Sequence, residues 1–147
     1  LVAGYVLGFA VNPLGRGLYK TLGFWLFRHS FEDVKGLSIS DKYVLIRELT
    51  PANFKYVETW NVFCAMAHNL AIAILVVFVN TLVKITVLTP PNPGFWIAVA
   101  VLSVFLFLLF LQRAVVFSVW AASDINSSIR TLHLREQAAA KKTYEDD

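Results

Sequence analysis

Hydrophobic and polar positions fall in long blocks along this chain. Two apolar runs, Val62 to Leu88 and Phe95 to Ala122, flank the segment Thr89-Pro90-Pro91-Asn92-Pro93-Gly94. Each run exceeds the roughly 20 residues a helix needs to cross a hydrocarbon core of about 30 Å. The connector holds three prolines, one glycine and no charge, so it stops one helix and starts the next. The pattern predicts an antiparallel pair of transmembrane helices, with membrane portions at about 62–88 and 95–120.

Residues 1–27 read as a further membrane or interfacial helical segment. Leu1 to Val11 is apolar but only eleven residues long, roughly 17 Å of helix and about half a bilayer. It is compatible with the end of a helix that starts upstream, and the chain begins at Leu rather than Met. It is equally compatible with a kinked helix continuing through Asn12-Pro13 to about Phe27, since membrane helices tolerate proline where neighbours satisfy the freed backbone groups. From Arg16 onward an interfacial amphipathic helix also fits, with Arg16 and Lys20 at headgroup level and Leu18, Leu22, Trp25 and Leu26 facing lipid or protein. Gly4 and Gly8 form a small-xxx-small pair suited to close helix approach.

The stretch 28–50 is polar and is expected to hold one short helix. Lys35-Gly36-Leu37-Ser38 reads as a turn, and Ser40 as the N-cap of a helix from Asp41 to Leu49. Thr50-Pro51 is a second start signal, with Thr as N-cap and Pro at the first helical position. The helix that begins there meets no stop signal before Leu88, about 37 residues and roughly 55 Å. That exceeds the membrane alone, so its first turns are expected in water. Beyond Ala122, Ile125, Ile129 and Leu132 recur at i, i+4, i+7. The second long helix is therefore expected to run on to about Gln137, giving a helical hairpin over 51–137. Residues 138–147, with charges of both signs, read as a frayed tail.

Charge then orients the hairpin. The connector has no Lys or Arg, whereas the polar segment and the C-terminal tail have several. The positive-inside rule puts those two in the cytoplasm and the connector outside. Trp25, Trp60, Trp96 and Trp120 are the expected interfacial anchors. In a hairpin centred near Pro91, Trp60 lies level with Trp120. Lys55 and Asp124 are expected to pair nearby, an exposed contact worth about 0 to 1 kcal/mol.

Composition agrees with a membrane class. The chain is 57% apolar and 16% charged, against roughly 25% charged for a typical soluble domain. The net charge of +3 is scattered, so no nucleic-acid partner is expected. The single cysteine, Cys64, cannot form an internal disulfide. One Cys and three scattered His do not make a zinc motif. His68 is the one His in a long apolar run, so no haem or other cofactor is expected.

One constellation stands out. The hairpin register aligns His68 and Asn69 with Gln112 and Arg113, roughly 10 to 14 Å inside the Trp60–Trp120 level. Polar groups at membrane depth are expensive and mark function or helix–helix contact. The four residues are read as an intramembrane polar layer. It would line a pore, or hydrogen-bond across the helix pair, or let Arg113 snorkel to headgroups. Ala67 and Ala71, with Ala65 and Ala73, put small residues beside His68 and favour close packing. Lys84 is expected to snorkel towards the outer surface. No hydrolase or metalloprotease motif occurs, and the apolar runs carry no acidic residue for a proton relay.

The sequence therefore predicts an all-α membrane protein with three membrane-embedded helical segments and a long transmembrane hairpin extending into the cytoplasm. The expected function is non-enzymatic. The protein would act by association with other membrane helices, as a subunit of a membrane complex or a homo-oligomer. The alternatives are a pore-forming effector or small channel and, third, a membrane enzyme with a cytoplasmic site.

Overall fold

The computed structural model describes residues 2–27 and 34–138. All regular structure among them is helical: α1 (Val2–Leu18), a π-helical turn (Tyr19–Gly23), α2 (Phe24–Phe27), α3 (Ile39–Leu49), α4 (Pro51–Val87) and α5 (Pro93–Thr131). Helix α1 continues through Asn12-Pro13. The π turn is marked by the bond from the Phe24 N–H to the Tyr19 carbonyl, the wider i→i+5 spacing. Thr21 Oγ1 donates back to the Gly17 carbonyl at 2.9 Å in the same stretch.

The two long helices start and stop close to where proline and glycine predict. Helix α4 opens on Pro51 and ends at Val87. The connector reverses with Thr89 at φ 38°. Asn92 Oδ1 then accepts the Phe95 N–H at 3.4 Å, capping α5 behind its first-position Pro93. Both helices are long and apolar enough to cross a membrane.

The chain divides into two units, 1–28 with 63–116 and 29–62 with 117–147, and both long helices contribute to each. In the first, apolar unit, α4 and α5 lie side by side: Cys64 Sγ donates to the Ala114 carbonyl at 3.3 Å, and the Lys84 ammonium sits 4.0 Å over the Trp96 ring. Lys84 thus finds an aromatic face rather than reaching outward alone. Small side chains are buried on both helices, Ala67 and Ala71 on α4 and Ala100 and Ala114 on α5, where Leu111 and Val115 are buried as well. Small residues let helix backbones approach closely. Buried Thr81 and Ser103 turn their hydroxyls onto their own helices, at 2.8 Å from the Val77 and Val99 carbonyls.

The second, polar unit has an ordinary hydrophobic core. Ile46, Val57, Ala121, Ile125, Ile129 and Leu134 are buried together, with Val34, Leu37, Tyr43, Leu49, Phe54 and Trp60 packed around them. Three expectations are corrected here. The cap of α3 is Ser38, not Ser40: Ser38 Oγ takes the Asp41 N–H at 3.1 Å, and the Asp41 carboxylate takes the Ser38 N–H at 3.2 Å. This reciprocal box satisfies two open donors at once. Thr50 does not cap α4 with its side chain. Its hydroxyl turns back to the Ile46 carbonyl at 3.1 Å and closes α3. Finally, α5 stops at Thr131 rather than near Gln137. His133 takes a positive φ of 48°, and a short helical turn follows over 134–138. The break leaves Leu132 37% exposed and sends Leu134 into the core at 0%. The Lys35-Gly36 turn forms as expected, with Gly36 at φ +82°, a backbone state that glycine adopts without strain. Arg135 donates to the Lys35 carbonyl from across the unit.

Candidate functional site

Within the apolar unit, residues 15–23 carry a stripe that spacing alone explains. Gly15, Tyr19 and Gly23 recur at i, i+4, i+8, and all three are buried. Gly15 lies against α4: a Cβ there would overlap His68 Nδ1 and come within 2.9 Å of the His68 carbonyl. Gly23 lies against α5, where a Cβ would fall 2.8 Å from Val115 and 3.4 Å from Leu111. The stripe therefore starts on one long helix and ends on the other, so this segment crosses the pair. Tyr19, midway, stacks on the His68 imidazole with ring centroids 5.4 Å apart and planes at 11°.

The four residues of the expected polar layer are not brought together on one face. His68 is 3% exposed and is turned towards Gly15 and Tyr19. Asn69 and Gln112 are half-buried, and Arg113 is exposed. No hydrogen bond joins Arg113 to His68 or Asn69 among the described residues. On α5 the buried positions Leu111, Ala114 and Val115 mark the packed face, and Arg113 lies on the opposite one. His68 thus makes a helix–helix contact, but with the crossing segment rather than with Arg113.

His68 Nδ1 and Asn69 Oδ1 on α4, and Asn12 Oδ1 on α1, are buried without a hydrogen-bond partner. Cys64, one turn before His68, is buried beside the side chain of Tyr19. Arg16 and Lys20 are exposed. Neither 1–27 nor 63–116 contains a carboxylate.

The other expected positions are placed as follows. Ala67 and Ala71 are buried on α4. Gly4 and Gly8 fall in α1, but what they pack against lies outside the described residues. Trp25 is 68% exposed on α2. Trp96 holds Lys84. Trp60 and Trp120 meet edge to face at 4.9 Å, as the register centred near Pro91 requires. Trp60 also stacks on Phe117 at 6.0 Å and donates its indole N–H to Asp124 at 2.8 Å. Asp124 is therefore engaged by Trp60, and the expected Lys55–Asp124 ion pair does not occur among the described residues. An open pocket of about 250 Å³ beside Asp124 is lined by Asn53, Tyr56, Ser127 and Ser128. It holds hydroxyls and one carboxylate but no imidazole or thiol to activate them. No cluster of potential metal ligands exists among the described residues.

Compared with known proteins, the chain matches no family model, no curated protein and no solved structure.

Proposed function

We propose that this chain is an integral membrane protein that works by association, as a subunit of a membrane complex or as a homo-oligomer. One observation carries the reading. The most apolar stretches of α4 and α5 are only 22% and 17% buried. Their outward faces are Val, Leu, Phe and Ile, such as Val76, Val83, Val101 and Phe105. In water that surface would far exceed the few hundred Å² of apolar patch that monomers expose. A bilayer covers it without cost.

Most of the membrane portions expected at 62–88 and 95–120 falls within the apolar unit, and α1 with the crossing segment supplies the third embedded element. The positive-inside rule places the polar segment and the C-terminus in the cytoplasm. No catalytic residues or cofactor enter the proposal. The partners are lipid and other membrane helices, with no nucleic acid. A pore lined by His68 with Arg113 is less favoured, because His68 would first have to leave Gly15 and Tyr19.

The test has two parts. Membranes carrying the tagged full chain are washed at alkaline pH, and the chain is expected to stay in the pellet; release into the wash would refute membrane integration. The particle is then purified in mild detergent and its mass measured. A mass of several times 16.5 kDa, or a fixed set of co-purifying chains, is expected; a lone monomer would refute action by association.

A further inference from the structure

Arg16, Lys20 and Arg113 lie at one level of the apolar unit, and nothing in that unit neutralises them. Three contacts set the level. Gly15 and Tyr19, the residues just before Arg16 and Lys20, both lie against His68, one turn from Cys64. Cys64 bonds to the carbonyl of Ala114, the residue next to Arg113. The segment carrying Arg16 and Lys20 crosses from His68 on α4 to Leu111 and Val115 on α5, so it stays near that level. The three cations face different directions, two from the crossing segment and one from the outer face of α5. All three are exposed. The sequences 1–27 and 63–116 contain no Asp or Glu to pair with them.

The distance to the next charge is informative. Along α4, Lys84 follows Cys64 by about twenty residues, or roughly 30 Å of helix. Between them the helix carries no formal charge apart from what His68 holds, and α5 carries none from Phe95 to Gln112. Roughly 30 Å is the thickness of a hydrocarbon core. Lys84, at the far end, is held over Trp96. The three cations, which pair with no carboxylate among the described residues, therefore sit one core thickness away, at the depth of the opposite phosphate layer. Arg16 and Lys20, at i, i+4 on one face, present a fork and a point charge to the same neighbourhood.

We propose that this level is a binding surface for the phosphates of anionic phospholipids, made by Arg16 and Lys20 on one side of the hairpin and Arg113 on the other. The proposal rests on the membrane reading above. It also moves Arg113 from the membrane interior to the headgroup boundary.

The test uses the full chain reconstituted in phosphatidylcholine vesicles, with tryptophan fluorescence quenched by dibrominated lipid. Trp25, exposed shortly after the crossing segment, is the natural reporter. Dibrominated phosphatidylglycerol is expected to compete for the annulus about fivefold or more better than dibrominated phosphatidylcholine, in line with roughly 1 kcal/mol per basic residue near a charged surface. The combined Arg16→Gln, Lys20→Gln, Arg113→Gln variant is expected to bring the ratio near one, while Lys84→Gln keeps it. If the combined variant does not fold, each single variant should lower the ratio; unchanged ratios in all three would overturn the proposal. Equal quenching in the wild type would also overturn it while leaving membrane integration standing. Inorganic phosphate abolishing the preference would point to a free anion and overturn it too. Release of the wild type by alkaline wash would instead refute the membrane reading itself.

Discussion

The His68 imidazole lies parallel to the Tyr19 ring, and Gly15, one turn earlier than Tyr19, is pressed against the same imidazole. This contact joins the N-terminal segment to α4. A methyl group at Gly15 would meet His68 backbone as well as its ring, so no side-chain rotation relieves it. Gly15→Ala is expected to cost about 1 to 3 kcal/mol, the usual range for overpacking. Gly17 provides the control, since a Cβ there meets nothing within 4 Å. Gly17→Ala should be neutral or stabilise by about 0.5 to 1 kcal/mol through helix propensity. Thermal unfolding of the two variants in mild detergent checks the contrast; equal midpoints would show that the Gly15 contact does not form.

In the polar unit, Lys42 is 3% exposed and its ammonium lies 3.2 Å from Asn126 Oδ1. The same oxygen accepts the Val34 N–H at 3.4 Å. Asn126→Ala should therefore weaken the hold on a buried cation and free a backbone donor. The expected cost is about 2 to 3 kcal/mol, as for hydrogen bonds to charged groups. Asn126→Asp, which keeps the acceptor, should lose less. Denaturant midpoints of the two variants in detergent give the comparison.

Ser38 and Ser40 offer a sharp local test. Ser38→Ala removes the capping box of α3 and should cost about 1 kcal/mol. Ser40→Ala, at an exposed position inside α3, should change stability by less than about 0.5 kcal/mol. The reverse order would restore the helix start at Asp41.

Trp60 combines a stack and a hydrogen bond. Trp60→Phe keeps an aromatic ring against Phe117 and Trp120 but removes the indole donor to Asp124. The expected loss is about 1 to 2 kcal/mol. If Trp60→Phe and Trp60→Phe combined with Asp124→Asn are equally stable, the hydrogen bond is the whole of the Trp60–Asp124 interaction; a further large drop would show that Asp124 has another structural role.

Some of the site is legible in the chain itself. Gly15, Tyr19 and Gly23 stand at helical spacing, although Gly4 and Gly8 form the more familiar small-xxx-small pair. Ser38 has Asp41 three residues on, the capping-box spacing, whereas Ser40 has Tyr43 there. Other features could not be read. Arg113 and His68 align in a flat register, but register says nothing of rotation about each helix axis. That rotation turned His68 inward and Arg113 outward.

The chain by itself determined the two long helices, their connector and the level pairing of Trp60 with Trp120, because proline, glycine and unbroken apolar runs act locally. Tertiary structure decided the rest. The stop at Thr131 carries no glycine or proline signal. Its break at Leu132-His133 goes with Leu134 entering the core formed by Ile46 and Val57. Burial of a side chain supplied from a distant part of the chain outweighed the helical preference of a few residues, and no window of sequence contains both sides of that contest.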